Sequence, residues 1–205
     1  FTAPQKYWNL YKESEIPLSP VPQIPEGTHK FALHNSNEFN GYLLGDEKAS
    51  LNKSISESYA RRLRHAYFAC ISYVDAQVGK ILDELERLGE KDNTIVIVWG
   101  DHGWHLGDQR VWGKHTLMDV SLRSTLIRAP SACKAVKNYR IVSAVDIYPT
   151  LMELCNLSIP EGMDGHSFVE LLENPNQSLW SDAAYSYFNN GISVRVPNYR
   201  LTRYW

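Results

Sequence analysis

A short stretch of the chain concentrates the side chains that can do chemistry. Asp101 and His102 follow the apolar run 94–99 almost directly, and Lys114 and His115 come a little later, across a glycine-containing segment. Carboxylate and imidazole groups suit a divalent cation. A lysine ammonium is a compact charge that suits an oxygen of a sulfate or phosphate group. The residue types therefore predict a metal site at Asp101 and His102 and an anion site at Lys114.

Each of these side chains also has a purely structural interpretation. Asp101 alone would cap a turn, His102 would pack neutral, and Lys114 would be a surface lysine. The position beyond an apolar strand favours the metal site, because ligands of parallel α/β sheets bind just past the carboxyl ends of the strands. His105 fits a site-lining and a buried role equally well, and Asp108 is expected to shape the loop by hydrogen bonds.

A long helix is predicted ahead of this stretch. Apolar residues recur in steps of three and four over 56–88, which predicts an amphipathic helix. Ser54 and Glu57 have capping-box spacing, and Gly89 supplies a stop. The basic residues at 61–65 are expected to form a solvated face of this helix.

Two strands are predicted after the helix, at 94–99 and 124–129. The first shows no apolar alternation, as expected for a strand that is covered on both faces of a parallel sheet. Ahead of the long helix, half of the prolines lie in residues 1–25. This segment is predicted to hold a short helix at 5–11 and otherwise to be extended, wrapping a surface built by something else.

The remaining segments are predicted from turn signals and short periods. Residues 26–53 carry no period and are predicted to be loop. Short helices are predicted at 146–157 and 167–172. From about residue 183, short apolar runs separated by Asn-Asn-Gly and Pro-Asn turns predict an antiparallel meander.

Composition excludes several classes of protein. The chain has 205 residues, 43% hydrophobic content and a formal net charge of -2, which gives no basis for binding nucleic acid or an anionic membrane. No apolar run reaches the roughly 20 residues that span a bilayer. Cys70, Cys133 and Cys155 form no CxxC pair, so we expect buried thiols and no thiolate metal site.

The motifs occur in an order that resembles one enzyme family. The segments "GDHGWHLGD", "WGKHTLMDVSLRSTLIRAP", "VDIYPTLMELCNL" and "MDGHSF" are similar to the C-terminal signature of sulfatases of the alkaline phosphatase superfamily. The Asp-His-Gly-Trp element resembles the iduronate-2-sulfatase-like enzymes. This resemblance implies an α/β fold, part of an alkaline-phosphatase-like sandwich with a mostly parallel central sheet, plus a small C-terminal antiparallel sheet. It also implies a sulfatase core over 1–178, irregular over 1–53, and a truncated antiparallel subdomain over 179–205.

The resemblance implies roles for individual residues. Asp101 and His102 match two ligands of an active-site calcium, with magnesium as the alternative metal. Lys114 matches the lysine that holds the sulfate group. His115 and His105 are expected to face the substrate and to form, with Lys114, the catalytic and substrate-binding set. A departure at "RSTLI", where relatives have Arg-Val-Pro-Leu-Ile, lies in a predicted strand and leaves this chemistry untouched.

A larger departure is the missing nucleophile. Sulfatases use a formylglycine made from a cysteine in a Cys-x-Pro-Ser-Arg context, whereas the cysteines here read "CISY", "CKAV" and "CNLS". The family's N-terminal Asp pair is missing too, and Ca²⁺ takes about 6–8 oxygen ligands. The chain is therefore expected to be the C-terminal part of a sulfatase, inactive alone, with the formylglycine in a missing N-terminal half.

The predicted function is sulfuric ester hydrolysis on a sulfated sugar or glycosaminoglycan, performed by the complete enzyme. The alternative within the superfamily is a phosphodiesterase or phosphonate hydrolase, and from another class a non-catalytic separate chain that needs a partner. Expected partners are the sulfated carbohydrate and the missing N-terminal half, with no nucleic acid and no membrane. Loops 26–53 and 131–140 are expected to influence specificity. The resemblance implies a periplasmic, secreted or lysosomal location.

Overall fold

The computed structural model describes residues 1–42, 47–129, 137–174, 176 and 179–205. The chain divides into two compact units, Phe1–Cys133 and Lys134–Trp205. Cys133 and most of the predicted specificity loop 131–140 lie outside the described residues. Across the described ranges, no helix combines the length and the apolar content needed to cross a membrane.

In the first unit three helices precede three short strands, a fourth helix and a fourth strand, and the second unit ends in strands. The helices are α1 (Gln5–Trp8), α2 (Asn37–Gly41), α3 (Glu57–Arg87), α4 (Asp119–Leu122), α5 (Ile147–Leu154) and α6 (Val169–Glu173). The strands are β1 (Val96–Trp99), β2 (His105–Leu106), β3 (Trp112–Gly113), β4 (Leu126–Ala129), β5 (Ala184–Phe188), β6 (Gly191–Val196) and β7 (Tyr199–Tyr204).

Helix α3 forms where the apolar spacing predicted it. Its N-cap is Ser56, whose hydroxyl accepts a hydrogen bond from the backbone N–H of Tyr59 at 3.3 Å. The capping role predicted for Ser54 was therefore wrong. The helix ends just before Gly89, which adopts a left-handed conformation with φ of 73° and confirms the predicted stop.

The proline-rich N-terminal segment packs on α3. Nε2 of His65 lies 2.9 Å from the carbonyl oxygen of Trp8, and Nε of Arg64 donates to the carbonyl of Pro17 at 2.5 Å. The hydroxyl of Tyr11 lies 2.6 Å from the hydroxyl of Ser72 on α3. Residues predicted to form a solvated face thus bind backbone carbonyls. The surface that this segment wraps is supplied by the chain itself, which corrects the expectation of a surface built elsewhere.

The segment 26–53 contains helix α2, which its lack of periodicity had not predicted. Ser36 precedes this helix in a left-handed conformation, and its hydroxyl accepts a hydrogen bond from the backbone N–H of Trp112 at 2.9 Å. Phe39 on α2 packs with Trp112 and Leu106 in the buried core of the first unit. The segment is therefore docked on the β2–β3 hairpin, which carries part of the predicted site.

Strands β1 and β4 confirm the strands predicted at 94–99 and 124–129. They pair antiparallel, with Val98 opposite Ile127. In the part of the chain that the structure describes, every strand pair is antiparallel. Trp99 is 49% exposed. The prediction of a strand covered on both faces was wrong for this chain, because the described residues leave part of β1 uncovered.

The second unit combines two short helices with a three-stranded meander. Helices α5 and α6 confirm the helices predicted at 146–157 and 167–172. The buried Asp146 carboxylate accepts hydrogen bonds from the backbone N–H groups of Ser143 and His166, which ties the segment before α6 to the start of α5. Strands β5, β6 and β7 pair antiparallel in chain order, which confirms the predicted meander.

The compact units do not follow the predicted division at 178/179. Nε of Arg140 donates to the Asp182 carboxylate at 2.7 Å, and Nε1 of Trp180 donates to the carbonyl of Ile141 at 2.8 Å. These contacts join the segment before α5 to the segment before β5 within one unit. The division into 1–178 and 179–205 stays a prediction about the domain organisation of the family.

Candidate active site

Asp101 and His102 lie at the end of strand β1, where the sequence predicted a metal site. The backbone N–H of Gly100 donates to the carbonyl of Thr125 at 2.9 Å, so the β1–β4 ladder continues up to this point. Oδ1 of Asp101 accepts a hydrogen bond from the backbone N–H of His102 at 2.9 Å. The Asp101 side chain is 81% exposed. The end of the strand therefore presents a carboxylate to solvent.

The backbone orients the ring of His102. Its Nδ1 lies 2.8 Å from the carbonyl oxygen of Gly103, which can only accept, so Nδ1 carries the proton of the neutral ring. Nε2 then bears the lone pair and lies 3.4 Å from Oδ2 of Asp101. Two acceptors at this distance repel each other unless a proton or a cation lies between them. Metal-binding histidines use the same arrangement, with the second ring N–H bound to a carbonyl.

This pair fits a divalent cation as part of a ligand set. Carboxylate and imidazole are both suitable donors, and their free atoms face each other. Over the described ranges, no group of three or more His, Cys, Asp or Glu side chains is placed to hold a metal ion. Because Ca²⁺ takes about 6–8 ligands, Asp101 and His102 would hold it only together with ligands from elsewhere.

Gly103 lets the loop after β1 lie against α4. A Cβ at this position would lie 2.0 Å from the carbonyl oxygen of Val120. The backbone N–H of Gly103 donates to the carbonyl of Ser121 at 2.7 Å. The close approach therefore requires glycine and fixes the path by which the chain leaves Asp101 and His102.

His105 is buried and does not face solvent. It is 0% exposed; its Nε2 lies 2.8 Å from Oγ1 of Thr116, and its Nδ1 lies 3.2 Å from the carbonyl oxygen of Asp108. Burial lowers the pKa of His105 to about 4, against the opposing effect of Asp108, so the ring is neutral at neutral pH. This position differs from the expectation that His105 faces the substrate, because the β2–β3 hairpin turns its ring into the interior.

Asp108 shapes the turn of the hairpin, as predicted. Its Oδ1 accepts a hydrogen bond from the hydroxyl of Ser19 at 2.7 Å, and its Oδ2 accepts one from the backbone N–H of Leu106 at 3.1 Å. The carboxylate thus ties the turn both to the N-terminal segment and to β2. These bonds set the direction of β3, which leads directly to Lys114.

Lys114 and His102 are both neighbours of the indole ring of Trp104. Nζ of Lys114 lies 5.4 Å from the ring centroid, and the ring of His102 is centred 6.4 Å from it. The Lys114 side chain is 28% exposed. The structure therefore brings the predicted metal ligand and the predicted anion-binding lysine together around one aromatic side chain.

Glu38 on α2 pairs with Lys114 and His115. Its Oε1 lies 3.3 Å from Nζ of Lys114, and its Oε2 lies 3.8 Å from Nδ1 of His115. The Tyr42 hydroxyl donates to Oε1 at 2.9 Å. Burial by itself would raise the pKa of Glu38, but the hydrogen bonds from Tyr42 and Lys114 and the nearby positive charges lower the pKa below its usual value. Glu38 is therefore ionised at neutral pH.

His34 lies on the other side of His115, against β3. The two ring centroids are 5.9 Å apart. Nδ1 of His34 accepts a hydrogen bond from the backbone N–H of Ser36 at 3.0 Å, and Nε2 is buried with no partner among the described residues. Burial, and then the charge of His115, lowers the pKa of His34, while Glu38 opposes the shift. A Cβ at Gly113 would lie 2.9 Å from Cε1 of His34, so glycine makes room for the ring.

We refer to His34, Glu38, Trp104, Lys114 and His115 as the Glu38 cluster. Sequence reasoning identified Lys114 and His115 but missed His34 and Glu38, because segment 26–53 has no period from which to predict an element. A signal was available in the sequence. An imidazole and a carboxylate stand four residues apart in a segment that was expected to influence specificity.

Comparison with known proteins identifies the family to which this site belongs. A sulfatase family model matches residues 3–157. The chain is 30% identical to mouse (Mus musculus) iduronate 2-sulfatase over 210 residues, which cover 87% of this chain and 38% of that protein. It is 33% identical to an N-acetylglucosamine-6-O-sulfatase of Bacteroides thetaiotaomicron over 177 residues, which cover 80% of this chain and 31% of the enzyme.

The fold also matches solved structures. A phosphonate monoester hydrolase from Silicibacter pomeroyi superposes with a TM-score of 0.80 and 23% identity over 99% of this chain and 45% of that protein. This likeness shows the α/β, alkaline-phosphatase-like fold that was predicted. The chain spans about two fifths of the length of curated relatives that it matches, at 39% and 38%. Because the family model covers well over half of its residues, the chain belongs to the sulfatase family.

Proposed function

We propose that the protein is a sulfuric ester hydrolase acting on a sulfated sugar or a glycosaminoglycan, and that this chain supplies one side of its active site. The observation that carries the proposal is the placement of His102 and Lys114 beside one indole ring. A cation site and an ammonium that neighbour the same side chain suit the binding of one anion between them. Support for a sugar substrate comes from relatives named as iduronate and N-acetylglucosamine-6-O sulfatases.

Asp101 and His102 would hold a divalent cation, with Ca²⁺ as the first choice and Mg²⁺ as the alternative. When bound, the cation supplies a Lewis acid that offsets charge on the sulfate oxygens. Neither Cys70, Cys133 nor Cys155 lies in a Cys-x-Pro-Ser-Arg context. We therefore expect the formylglycine, which supplies the nucleophile, to belong to a part of the protein outside this chain.

Lys114 binds a sulfuryl oxygen and offsets the negative charge that grows as the ester bond breaks. Its ammonium is held between the carboxylate of Glu38 and the ring of Trp104. His115, whose side chain is 45% exposed, lies beside it and donates a hydrogen bond to another substrate oxygen. His105 does not touch the substrate. It positions the segment that carries Lys114 through its contact with Thr116.

The partners in this proposal are the sulfated carbohydrate and an N-terminal half of the same protein. The latter would complete the metal ligands and bring the nucleophile to the ester. By family resemblance, the setting is periplasmic, secreted or lysosomal. Neither a nucleic acid nor a membrane is required for this chemistry.

The test uses the full-length gene product and the sulfate monoester, phosphate diester and phosphonate monoester of one chromogen. We expect the highest kcat/KM for the sulfate ester, and a decrease in kcat of roughly 10²–10³-fold in Lys114→Ala. Lys91→Ala is the matched control, because Lys91 is an exposed lysine that pairs with Glu86 at 3.1 Å. A preference for the phosphonate or the diester would indicate the other branch of the superfamily. No turnover of any ester would indicate a non-catalytic chain.

A further inference from the structure

We propose that Glu38 is a specificity-determining residue whose carboxylate favours monoanionic sulfate esters over dianionic phosphate esters at Lys114. The inference rests on the proposed function, because it takes Lys114 as the group that binds the ester anion. Glu38 belongs to no motif of the opening stretch. It lies on α2, 76 residues from Lys114 in the chain, and reaches it only because α2 docks on the hairpin.

The carboxylate of Glu38 stands next to the anion-binding position. Its Oε1 is 3.3 Å from the Lys114 ammonium. Its Oε2 is buried with no hydrogen-bond partner in the described part of the chain. An ester oxygen bound to the same ammonium would lie about 6 Å from the carboxylate, given an ordinary hydrogen-bond length. At that distance the charge of Glu38 acts directly on the bound anion.

The charges of Lys114 and Glu38 offset each other before any substrate binds. Lys114 is positive and Glu38 is negative. His34 is neutral at neutral pH, since its Nδ1 accepts a backbone hydrogen bond and partial burial lowers its pKa. Glu38 therefore offsets part of the attraction that Lys114 exerts on each negative charge of the ligand.

The two ester classes differ in that second charge. A sulfate monoester carries one negative charge, whereas a phosphate monoester carries two above its second ionisation, near pH 6. Coulomb repulsion from a carboxylate is proportional to the charge of the ligand, so Glu38 disfavours the dianion about twice as strongly. The carboxylate therefore removes much of the advantage that a dianion would otherwise have at a lysine.

A purely structural role for Glu38 makes a different prediction. If its carboxylate only holds Lys114 in place, its loss lowers the turnover of both esters by the same factor at every pH. A charge effect instead changes the ratio of the two turnover rates. It does so only at a pH where the phosphate ester carries its second charge.

The experiment measures kcat/KM of the full-length protein for the sulfate and phosphate monoesters of one chromogen, well below and well above the second pKa of the phosphate ester. In Glu38→Gln we expect the phosphate-to-sulfate ratio to rise about fivefold to tenfold at the higher pH and to change little at the lower pH. Glu38→Ala removes the same charge through another side chain and should show the same rise. Thermal unfolding of each variant checks that it is folded.

Two controls separate local charge from total charge. Glu38→Asp keeps the carboxylate and should keep the wild-type ratio. Glu84→Gln removes one negative charge from the far end of α3, where Glu84 pairs with Arg87 at 2.6 Å, and should also leave the ratio unchanged. A ratio that stays constant in both Glu38→Gln and Glu38→Ala, in a protein with normal wild-type sulfatase turnover, would overturn this inference alone. Absence of sulfate turnover in the wild type would overturn the proposed function and the inference with it.

Discussion

The proposed anion side of the site, at Lys114, and the proposed metal side, at Asp101, differ in how completely this chain builds them. On the anion side, Val111 and Trp112 lead to Lys114 with exposures of only 0% and 3%. On the metal side, Trp99 at the end of β1 is 49% exposed and the Asp101 side chain is 81% exposed. One side is packed by a hairpin, α2 and α3. The other is a strand end that the described residues leave open.

Helix α3 shows the same contrast along its own length. Its Tyr59 and Leu63 pack against the core beside the hairpin. Farther along, Ile71, Val74 and Ile81 are more than half exposed. Large exposed apolar patches mark surfaces that another element covers. The contrast teaches that this chain packs the proposed anion side by itself, whereas the proposed metal side would need further elements for both its ligands and its cover.

The largest effect is expected when residues 1–205 are studied alone. This chain lacks a nucleophile and most metal ligands, so we expect no sulfate-ester turnover above a contaminant control. Its uncovered apolar surfaces should give self-association and a broad unfolding transition. Sedimentation and thermal unfolding measure both properties. A sharp unfolding transition of a monomer would contradict the difference between the two sides, because the apolar surface of the metal side would then be stable without further elements.

Next in size is the loss of the metal in Asp101→Asn, made in the full-length protein. Removing a charged ligand from a cation site should empty it, and both bound calcium and turnover should be lost. Lys114→Ala tests the anion side in the same way. We expect this variant to have a low kcat and to bind as much calcium as the wild type. Elemental analysis and kinetics on the same samples distinguish the two. Calcium retained by Asp101→Asn, with normal turnover, would remove Asp101 from the metal site.

Gly103→Ala should cost about 3 kcal/mol in the free energy of unfolding, because its Cβ would lie 2.0 Å from a backbone oxygen of α4. The matched control is Gly79→Ala on α3, where a Cβ meets no atom within 4 Å. That change should stabilise the protein by about 1 kcal/mol through helix propensity. Denaturant unfolding measures both values. Equal effects of the two changes would show that the close approach at Gly103 is easily relieved.

The smallest effect is a pH dependence from His105. Its pKa is about 4 in the folded protein, against an ordinary value of 6.5, because burial disfavours the charged ring. The unfolded chain therefore binds the proton first. Stability should fall as the pH is lowered from 6.5 to 4, by at most about 3 kcal/mol.

His105→Asn isolates this contribution. The variant is less stable at neutral pH because it loses the contact with Thr116, but its slope between pH 6.5 and 4 should be smaller by the contribution of His105. His29→Asn, at an exposed histidine, controls for the loss of an imidazole as such. Unfolding free energies across that pH range are compared for the three proteins. An unchanged slope in His105→Asn would contradict burial of the ring.

The sequence allowed prediction of elements whose signals are local. Helix α3 follows from a period of three to four residues, and the meander follows from turn residues between short apolar runs. Asp108 was predicted to shape its loop, and its carboxylate does so through the backbone of Leu106, two residues away. In each case at least one physical cause lies within a few residues of the effect.

The features that were missed depend on contacts across the chain. Glu38 contacts Lys114, which is 76 residues away along the chain, and Ser36 contacts Trp112 at the same separation. The burial of His105 depends on the way the hairpin folds back, which its residue type does not indicate. Trp99 is exposed because the described elements cover only part of it. An apolar pattern in the sequence predicts a buried strand but does not show which element would cover it. Local patterns thus predict which residues are reactive, and long-range packing determines which of them meet.

The contacts between α3 and the N-terminal segment have a consequence for how this protein can evolve. Arg61 and Arg64 donate to the carbonyls of Ile16 and Pro17, and His65 is bound to a carbonyl in the same way. Every residue type has a backbone carbonyl, including proline, which lacks only the N–H group. These particular hydrogen bonds therefore constrain the path of the segment and not the types of its residues, whereas they require the arginines and the histidine on α3.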